Sequence, residues 1–331
     1  MNRRPSGLLL SKAIPGFIQY QIAEGLALGT TNDYQRILQK WVAWNGDVEI
    51  AEVTSKNIRD YLVYLRTEYV PQRITGNNNK RLSSKSIRNI WIGLSSFFHW
   101  ASDEFQIPNP MKQVPAPKFT LPEVVPYTKE EVEALLKAAE YSAEAKTENR
   151  RSFRMALPQR YKSVAILLTL LDCGARANEL CSLRIADYEP KTGKLFIRHG
   201  VDGGAKGGKG RTVFLGKVAR RALWRYLATR EDGEDPTAPL FVDANGRPIT
   251  KNSLRLFINR LGKKAGVKHA YSHRFRHTFA ITYLRSGGDI FTLKSILGHN
   301  SLQMVEHYAR IAEVDVENAH RRASPADNWR L

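Results

Sequence analysis

The stretch YSHRFRHTFA, residues 271–280, concentrates side chains that bind anions and transfer protons. His273, Arg274, Arg276 and His277 fall within five positions of the chain. Guanidinium groups bind phosphate oxygens through forked hydrogen bonds, and imidazole rings exchange protons near neutral pH. These residue types at this spacing predict a site for an anionic group at which protons are transferred.

The neighbouring sequence supplies no negative charge to balance these groups. Between residues 244 and 288 there are ten Lys or Arg residues and no Asp or Glu. If Ser272 is the N-cap of a helix, His273 and Arg276 project from its first turn, where free backbone N–H groups and the helix dipole already favour an anion. A positive cluster is unfavourable there unless an anion is bound. We therefore expect another molecule to supply the negative charge.

Two other interpretations of this segment use the same residues. His273 and His277 have the i, i+4 spacing of two zinc ligands, but no third ligand is nearby and two arginines between them would repel a cation. We therefore predict no metal site, and we expect Cys173 and Cys181 to be reduced thiols. A helix that lies along a DNA backbone without doing chemistry remains open on these residues alone.

A glycine-rich stretch, VDGGAKGGKG at residues 201–210, could also bind an anion. Gly203, Gly208 and Lys209 fit the beginning of the phosphate-binding pattern G-x-x-x-x-G-K, but a glycine replaces the Ser or Thr and a strand pattern follows where a helix is needed. We reject a nucleotide-binding loop. The stretch is either a flexible hairpin tip or a tip that carries Lys206 to an anion, where a lysine can also donate a proton.

The overall charge indicates the class of partner. The chain has 331 residues and a formal charge of +19 at pH 7, with 15 basic and 10 acidic side chains in residues 1–126 and 36 and 22 in residues 127–331. Both parts suit a polyanion, and nucleic acid is a better candidate than a membrane surface. The longest apolar stretch, VAILLTLL, is far shorter than the roughly 20 residues that cross a bilayer. We expect a cytoplasmic, nucleoid-associated protein with no membrane partner.

The apolar periodicity predicts a mainly α-helical fold with a small β-sheet. Four helical patterns occupy residues 1–107, a proline-rich linker follows at 108–126, and a capping-box pattern opens a second domain at 127–331. Within that domain, GKLFIRHG and RTVFLG are strand patterns on either side of the glycine-rich stretch. Residues 141–160 are polar and mixed in charge, and we interpret them as a surface insertion of unassigned role.

Five sequence patterns, in their order along the chain, point to a known family. They are CGARANELCSL, AKGGKGRTVFL, HRFRH, LGH and EHYARI. Together they resemble the signature of the tyrosine recombinases, the family that includes phage integrases and chromosome-dimer resolvases. The resemblance covers the chain from Tyr127 to Ile311, and the four-helix segment is similar to the family's DNA-clamping domain. It implies an N-terminal SAM-like DNA-binding domain followed by an α+β catalytic domain.

The resemblance implies a catalytic set of six residues. Tyr308 matches the nucleophile, which would attack a DNA phosphodiester, form a 3′-phosphotyrosyl link and release a 5′-hydroxyl. The link would keep the energy of the broken bond, so we expect no metal, no ATP and no other cofactor. The six positions are Arg176, Lys206, His273, Arg276, His299 and Tyr308.

The other five positions have implied roles that suit their chemistry. Arg176 and Arg276 would bind the non-bridging oxygens of the phosphate and stabilise the transition state, for which forked guanidinium groups are better suited than lysine. Lys206 would donate a proton to the leaving 5′-oxygen. His273 and His299 would hydrogen-bond the phosphate and assist proton movement near neutral pH.

Two other functions fit part of the same pattern. A type IB topoisomerase uses a similar site to relax supercoiled DNA, and a catalytically silent DNA-binding regulator would bind without forming a covalent adduct. The complete set of six residues and the N-terminal clamp favour a site-specific recombinase. Integration, excision, dimer resolution, inversion and transposition share this chemistry, so the resemblance predicts the reaction and not the biological programme.

The resemblance also implies partners. We expect double-stranded DNA with inverted core-type sites, a homotetramer on that DNA, and accessory DNA-bending or directionality factors. Residues 312–331 are expected to pack against a neighbouring protomer. Candidate DNA contacts in the helices and the hairpin are Thr31, Tyr34, Lys85, Arg88, Asn89, Lys209 and Arg211.

The charge argument predicts that DNA binding depends steeply on salt. Because each phosphate contact releases counterions, we expect the dissociation constant to rise by about 10³-fold between about 50 and about 200 mM salt. Fluorescence anisotropy with a labelled duplex measures this change. An affinity that stays constant over the range would contradict our interpretation of the +19 charge.

Overall fold

The structure, a computed structural model, describes residues 7–72, 80–120, 124–147, 150–198, 210–299, 301–312, 320, 324 and 326, with backbone only at 145–147 and 150–151. The chain divides into two compact units, Met1–Glu123 and Val124–Leu331. Lys206, Lys209 and most of the predicted tail segment 312–331 lie outside the described residues.

The first unit contains the four helices that the sequence predicts. They are α1 (Leu10–Ala23), α2 (Leu28–Asn45), α3 (Ser55–Thr67) and α4 (Ser84–Phe105). Their apolar stripes meet in one core, in which Trp41, Phe97 and Phe98 are fully buried. The Trp41 ring meets the Tyr61 ring edge to face, with centroids 5.0 Å apart. Aromatic packing between the helices therefore holds this unit together.

The proline-rich segment after α4 is partly built into this first core. A short 3₁₀ helix spans Pro110–Gln113, and Ile107, Met111 and Val114 are buried among the helices. The indole of Trp91 donates a hydrogen bond to Val114 O at 3.1 Å. The beginning of the predicted 108–126 linker thus packs as part of the first unit.

The second unit combines eight helices of the described residues with two small antiparallel sheets. In chain order its elements are α5 (Lys129–Glu140), β1 (Ala145–Thr147), β2 (Arg150–Phe153), α6 (Arg160–Cys173), α7 (Ala177–Ser182), β3 (Tyr188–Glu189), β4 (Lys194–Ile197), β5 (Arg211–Phe214), α8 (Lys217–Leu227), α9 (Lys251–Ala265), α10 (Ser272–Arg285), α11 (Ile290–Leu297) and α12 (Gln303–Ala312). No described helix of the chain is both long enough and apolar enough to cross a membrane.

The strands confirm one expectation and add an element that the sequence pattern does not predict. The two predicted strands are β4 and β5, which pair antiparallel with Leu195 opposite Val213, and β3 extends them to a three-stranded sheet. The 141–160 segment contains the β1–β2 ribbon, which the sequence analysis does not predict. Its strands are polar and lack the alternation of apolar and polar residues that marks a half-buried strand.

Helix α6 lies at the centre of the second core. Ala165, Leu167 and Leu170 are almost completely buried, and the helix ends where Gly174 adopts a left-handed conformation at φ +60°. A side chain at Gly174 would be strained, and its Cβ would come within 2.6 Å of the Phe279 ring. The sharp end of α6 brings the next residues, which include a predicted catalytic arginine, back towards α10.

Helix α10 begins one residue earlier than the sequence predicts. Tyr271 and not Ser272 is the N-cap, and its side chain makes no capping hydrogen bond. The hydroxyl of Tyr127 holds this end instead, because it accepts from Tyr271 N at 3.0 Å and donates to Tyr271 O at 3.3 Å. The cap comes from a tyrosine 144 residues away, which no local pattern indicates.

Arg274, one of the four positive groups in the opening segment, is neutralised within the chain. Its guanidinium donates to Glu131 Oε2 at 2.6 Å and to Oε1 at 3.2 Å, and it lies over the Tyr127 ring at 4.0 Å. The side chain of Arg274 is only 7% exposed. The expectation that another molecule balances the whole cluster is therefore wrong for Arg274, because its acid is 143 residues away in sequence.

We predict that Glu131→Gln destabilises the protein, because it leaves the buried guanidinium of Arg274 without a negative partner while keeping the shape of the side chain. The free energy of unfolding should fall by about 2 kcal/mol, measured by urea denaturation followed by circular dichroism. Glu133→Gln is the matched control: Glu133 is 63% exposed on the same helix and should change stability by less than about 0.5 kcal/mol. Equal effects of the two changes would contradict this role of Glu131.

Candidate active site

The C-terminal ends of two helices converge on one buried arginine. Arg276 is 1% exposed, and it donates from Nη1 to Gly174 O at 2.8 Å and from Nη2 to Leu297 O at 2.7 Å. These carbonyls end α6 and α11, where the helix dipole is negative. Burial, together with the positive charge of Arg176, lowers the pKa of Arg276 to about 10. The guanidinium therefore keeps its charge at neutral pH.

His299 is fixed against the same arginine. Its Nε2 lies 2.7 Å from Arg276 Nη2. An arginine can only donate, so Nε2 accepts and the ring carries its hydrogen on Nδ1. Burial and then the charge of Arg276 lower the pKa of His299 to about 3, so the ring is neutral at pH 7. Within the described part of the chain, the buried Nδ1 has no hydrogen-bond partner.

A buried glutamate holds the second predicted arginine. Arg176 is the N-cap of α7, and its Nη1 lies 2.8 Å from Oε1 of Glu179, which is 1% exposed. Arg211 donates to both oxygens of the same carboxylate, at 2.7 and 3.0 Å. Although burial alone raises the pKa of Glu179, the hydrogen bonds and charges of Arg211 and Arg176 lower it to about 2. Arg176 remains 34% exposed, so part of its guanidinium faces solvent.

Tyr308 brings a phenol to this cluster from α12. Its side chain is 5% exposed, and its Oη lies 2.9 Å from Nδ1 of His277. Burial raises the pKa of Tyr308, whereas the nearby charges of Arg276 and Arg176 oppose this rise. The phenol is thus placed beside the two guanidinium groups that the resemblance pairs with it.

Two histidines of the opening segment stand side by side near the phenol. The rings of His273 and His277 meet edge to face with centroids 4.5 Å apart. His273 is exposed, and partial burial followed by the charges of Arg276 and Arg176 lowers its pKa. His277 is a residue that the sequence analysis leaves out of the catalytic set. Only the three-dimensional proximity to Tyr308 identifies it, since the two are 31 positions apart.

The structure therefore brings together five of the six predicted catalytic residues. A neutral imidazole N–H, two guanidinium groups and a phenol surround one place, an arrangement that can bind an anion and attack it with an oxygen nucleophile. Lys206, the sixth, lies outside the described residues. The five are Arg176, His273, Arg276, His299 and Tyr308.

The comparison with known proteins identifies the family and the enzyme class. Residues 127–314 match the phage integrase family, and residues 14–105 match the N-terminal SAM-like domain of phage integrases. The chain belongs to the phage integrase family. The family, the fold and the enzyme class predicted from the motifs, a tyrosine site-specific recombinase, are confirmed.

Curated relatives of this recombinase extend over nearly its whole length. It is 26% identical to tyrosine recombinase XerC of Oceanobacillus iheyensis over 326 residues, which are 95% of this chain and 96% of that protein. It is 35% identical to tyrosine recombinase XerC of Pelobacter propionicus over 162 residues, 49% of this chain and 51% of that protein.

Solved structures show the same fold. The Tn1549 transposon integrase in complex with transposon right end DNA has a TM-score of 0.72 at 20% identity, covering 91% of this chain and 94% of that chain. A lambda integrase dimer bound to a COC′ core site has a TM-score of 0.65 at 18% identity, covering 90% and 97%. Both architectures agree with the helical unit and the α+β unit described above.

Two of the residues predicted to contact DNA make their hydrogen bonds within the fold of the recombinase. Thr31 is 1% exposed and donates to Leu28 O at 3.0 Å. Arg211 is 11% exposed and pairs with Glu179, so its guanidinium is used inside the fold. Both residues were candidates because of their polar or basic side chains. Residue type alone does not show that Thr31 lies on the inward side of α2, or that Arg211 pairs with an acid 32 residues away.

The other described DNA candidates stay predictions. Lys85 and Asn89 are exposed, and Tyr34 is half-buried; Tyr34 and Asn89 line one cleft of the first unit. Arg88 is half-buried, and its Nη1 donates to Pro117 O at 3.0 Å. Lys209 lies outside the described residues.

We predict that Glu179→Gln weakens the fold and changes its response to acid. The neutral amide leaves Arg176 and Arg211 without their anion, so the free energy of unfolding at pH 7 should fall by about 3 kcal/mol. Glu179 has a folded pKa of about 2, below its ordinary value of 4.5. Its contribution is therefore present above about pH 4.5 and is lost as the pH falls towards 2.

Urea denaturation at several pH values between about 7 and about 3 tests this prediction. The Glu179→Gln protein should lose less stability than the parent on acidification. The exposed Glu231, changed to Gln, is the control and should behave as the parent does. A parent-like pH dependence in Glu179→Gln would show that the carboxylate is not held between the arginines.

Proposed function

We propose that this tyrosine recombinase breaks and rejoins DNA strands through Tyr308. The observation that carries the proposal is the position of the phenol oxygen, which contacts His277 and lies beside the charges of Arg276 and Arg176. The oxygen attacks the scissile phosphorus and forms a 3′-phosphotyrosyl link while the bond from phosphorus to the 5′-oxygen breaks. A 5′-hydroxyl from a second duplex reverses the step and completes strand exchange.

The positive groups stabilise the extra negative charge of the pentavalent transition state. Arg176 offers its exposed edge to a non-bridging oxygen, while Glu179 holds the rest of the guanidinium in place. Arg276 and the Nδ1–H of His299 act from the buried side. Because these dipoles and charges are fixed before the substrate arrives, little reorganisation is needed during the reaction.

Lys206 is proposed to donate a proton to the leaving 5′-oxygen, and His273 to hydrogen-bond the phosphate. Lysine suits the first role because its long stem can carry a proton to a leaving group. The phosphotyrosyl link keeps the energy of the broken bond, so the proposed reaction uses no metal, ATP or other cofactor. These roles rest on the family's motif and on the arrangement of the described residues.

The proposed partner is double-stranded DNA with inverted core-type sites. The +19 charge supports a polyanion, and a lambda integrase with the same fold is a dimer on a core site. Pairing two such sites requires four protomers, so we propose a homotetramer on DNA in which residues 312–331 contact a neighbour. Accessory DNA-bending or directionality factors, and a location at the nucleoid in the cytoplasm, belong to the same proposal.

We predict that Tyr308→Phe abolishes the covalent adduct, because phenylalanine has no oxygen nucleophile. On a nicked suicide duplex, adduct formation should fall by at least about 10³-fold, whereas DNA affinity should change by less than about threefold. Denaturing gel electrophoresis measures the adduct and anisotropy measures the affinity. Tyr283→Phe removes a half-buried phenol from the same unit and should leave adduct formation unchanged.

An adduct that survives in Tyr308→Phe would refute the assignment of the nucleophile. Two outcomes with the parent protein separate the alternative functions. Relaxation of a supercoiled plasmid without joining of two sites under any condition would indicate a topoisomerase. Tight DNA binding without any adduct would indicate a catalytically silent regulator.

A further inference from the structure

A specific acceptor lies beside the hydroxyl of Tyr308. Nδ1 of His277 is 2.9 Å from the phenol oxygen, within hydrogen-bond distance of a phenol O–H. The phenol donates to this nitrogen when His277 carries its hydrogen on Nε2 and offers the Nδ1 lone pair. The charges of Arg276 and Arg176 lie near the same oxygen and favour its ionised form.

The other histidines of the site are less suited to accept this proton. The Nε2 lone pair of His299 is occupied by Arg276, and its Nδ1 carries the ring hydrogen. The ring centroids of His299 and Tyr308 are 6.3 Å apart. His273 meets the His277 ring, with centroids 4.5 Å apart, and stands on the exposed side of it. His277 thus lies between the nucleophile and the exposed histidine.

We propose that His277 is a further catalytic residue of this recombinase, whose Nδ1 takes the proton from Tyr308 Oη as that oxygen attacks the scissile phosphate. The proposal deepens the proposed function and rests on Tyr308 being the nucleophile. A general base must lie within hydrogen-bond distance of the proton that it removes, and His277 meets this condition before DNA is bound.

The step is balanced in atoms and charge. The Oη–H bond of Tyr308 breaks and an Nδ1–H bond forms, so His277 becomes a cation. The freed electron pair forms the bond from Oη to phosphorus. The bond from phosphorus to the 5′-oxygen breaks, and that oxygen takes a proton from the general acid, for which Lys206 is proposed. In the rejoining step His277 returns its proton to the leaving Tyr308 oxygen.

The surroundings of His277 couple its basicity to the substrate. His273 and Arg276 face it from α10, and His307 and Tyr308 face it from α12. Burial, followed by the positive potential of His273, Arg276 and His307, lowers the pKa of His277 to about 4. The ring is therefore neutral and able to accept a proton at pH 7. The negative charge of a bound phosphodiester offsets the neighbouring positive charge and makes the ring a stronger base.

The test combines two changes on the suicide duplex. His277→Asn keeps an acceptor oxygen near the position of Nδ1, but an amide does not take up a proton. We expect adduct formation to slow by about 10²-fold or more, with DNA affinity and thermal midpoint close to those of the parent. Replacing Tyr308 with a fluorinated tyrosine, whose phenol is more acidic, should then restore the rate of His277→Asn by about tenfold or more, because a readily ionised phenol has less need of a base.

The same fluorinated tyrosine in the otherwise unchanged protein should alter the rate by less than about threefold. The matched control is His269→Asn: His269 is an exposed residue of the same unit in a left-handed conformation that asparagine also adopts, and this variant should form the adduct at the parent rate. A histidine that only positions the phenol would give no selective rescue by the acidic analogue.

Two results would overturn the proposal while the function of Tyr308 stands. One is a parent rate in His277→Asn, and the other is a slow His277→Asn protein that the fluorinated tyrosine does not accelerate. Failure of the underlying function gives a different result, in which Tyr308→Phe still forms the adduct. The three results are distinguishable on one gel.

Discussion

The contact of Arg276 with the carbonyl ends of α6 and α11 organises the rest of the site. A buried guanidinium is costly unless its donors are satisfied, and Gly174 O and Leu297 O satisfy two of them where the helix dipoles are negative. The contact fixes the end of α6, after which Arg176 follows. It also fixes the end of α11, after which His299 follows. Arg276 thus fixes the positions of Arg176 and His299 relative to its own guanidinium, and all three are predicted catalytic groups.

The charges of the site are balanced unequally on its two sides. On the inner side, Glu179 neutralises Arg211 and holds Arg176, and carbonyl oxygens hold Arg276. On the outer side, part of Arg176 and the ring of His273 face solvent. The anions and carbonyl dipoles of the fold therefore offset the cost of burying its cations. The positive charge on the exposed part of Arg176 is left to interact with a phosphate.

Much of the fold could be predicted from the sequence, because apolar periodicity, caps and glycines act over a few residues. The four helices of the first unit and the strands around the glycine-rich stretch follow such local rules. The β1–β2 ribbon escaped prediction since the sequences of its strands are polar and lack the alternation of apolar and polar residues. Family motifs predicted the catalytic positions, but they gave no partners for them.

Three of the errors and omissions involve pairs that are distant in the chain. Glu131 pairs with Arg274 across 143 positions and Glu179 with Arg211 across 32. His277 meets Tyr308 across 31 positions. In each case the sequence shows a charged or polar group and hides its partner, so a local count of acids overstates the free positive charge. Such pairs form only when the packing of the helices brings the two residues together.

The phenol and the guanidinium groups around it belong to one folded unit of one polypeptide. In the proposed reaction, each copy therefore carries its own nucleophile next to its own charge stabilisation, and no copy has to lend a tyrosine to a neighbour. A mixture of two defective copies, one without the phenol and one without Arg276, would contain no intact centre and could not complement. In the proposed tetramer, the choice of the strand that is cut then depends on small adjustments within each centre and not on the exchange of parts between subunits.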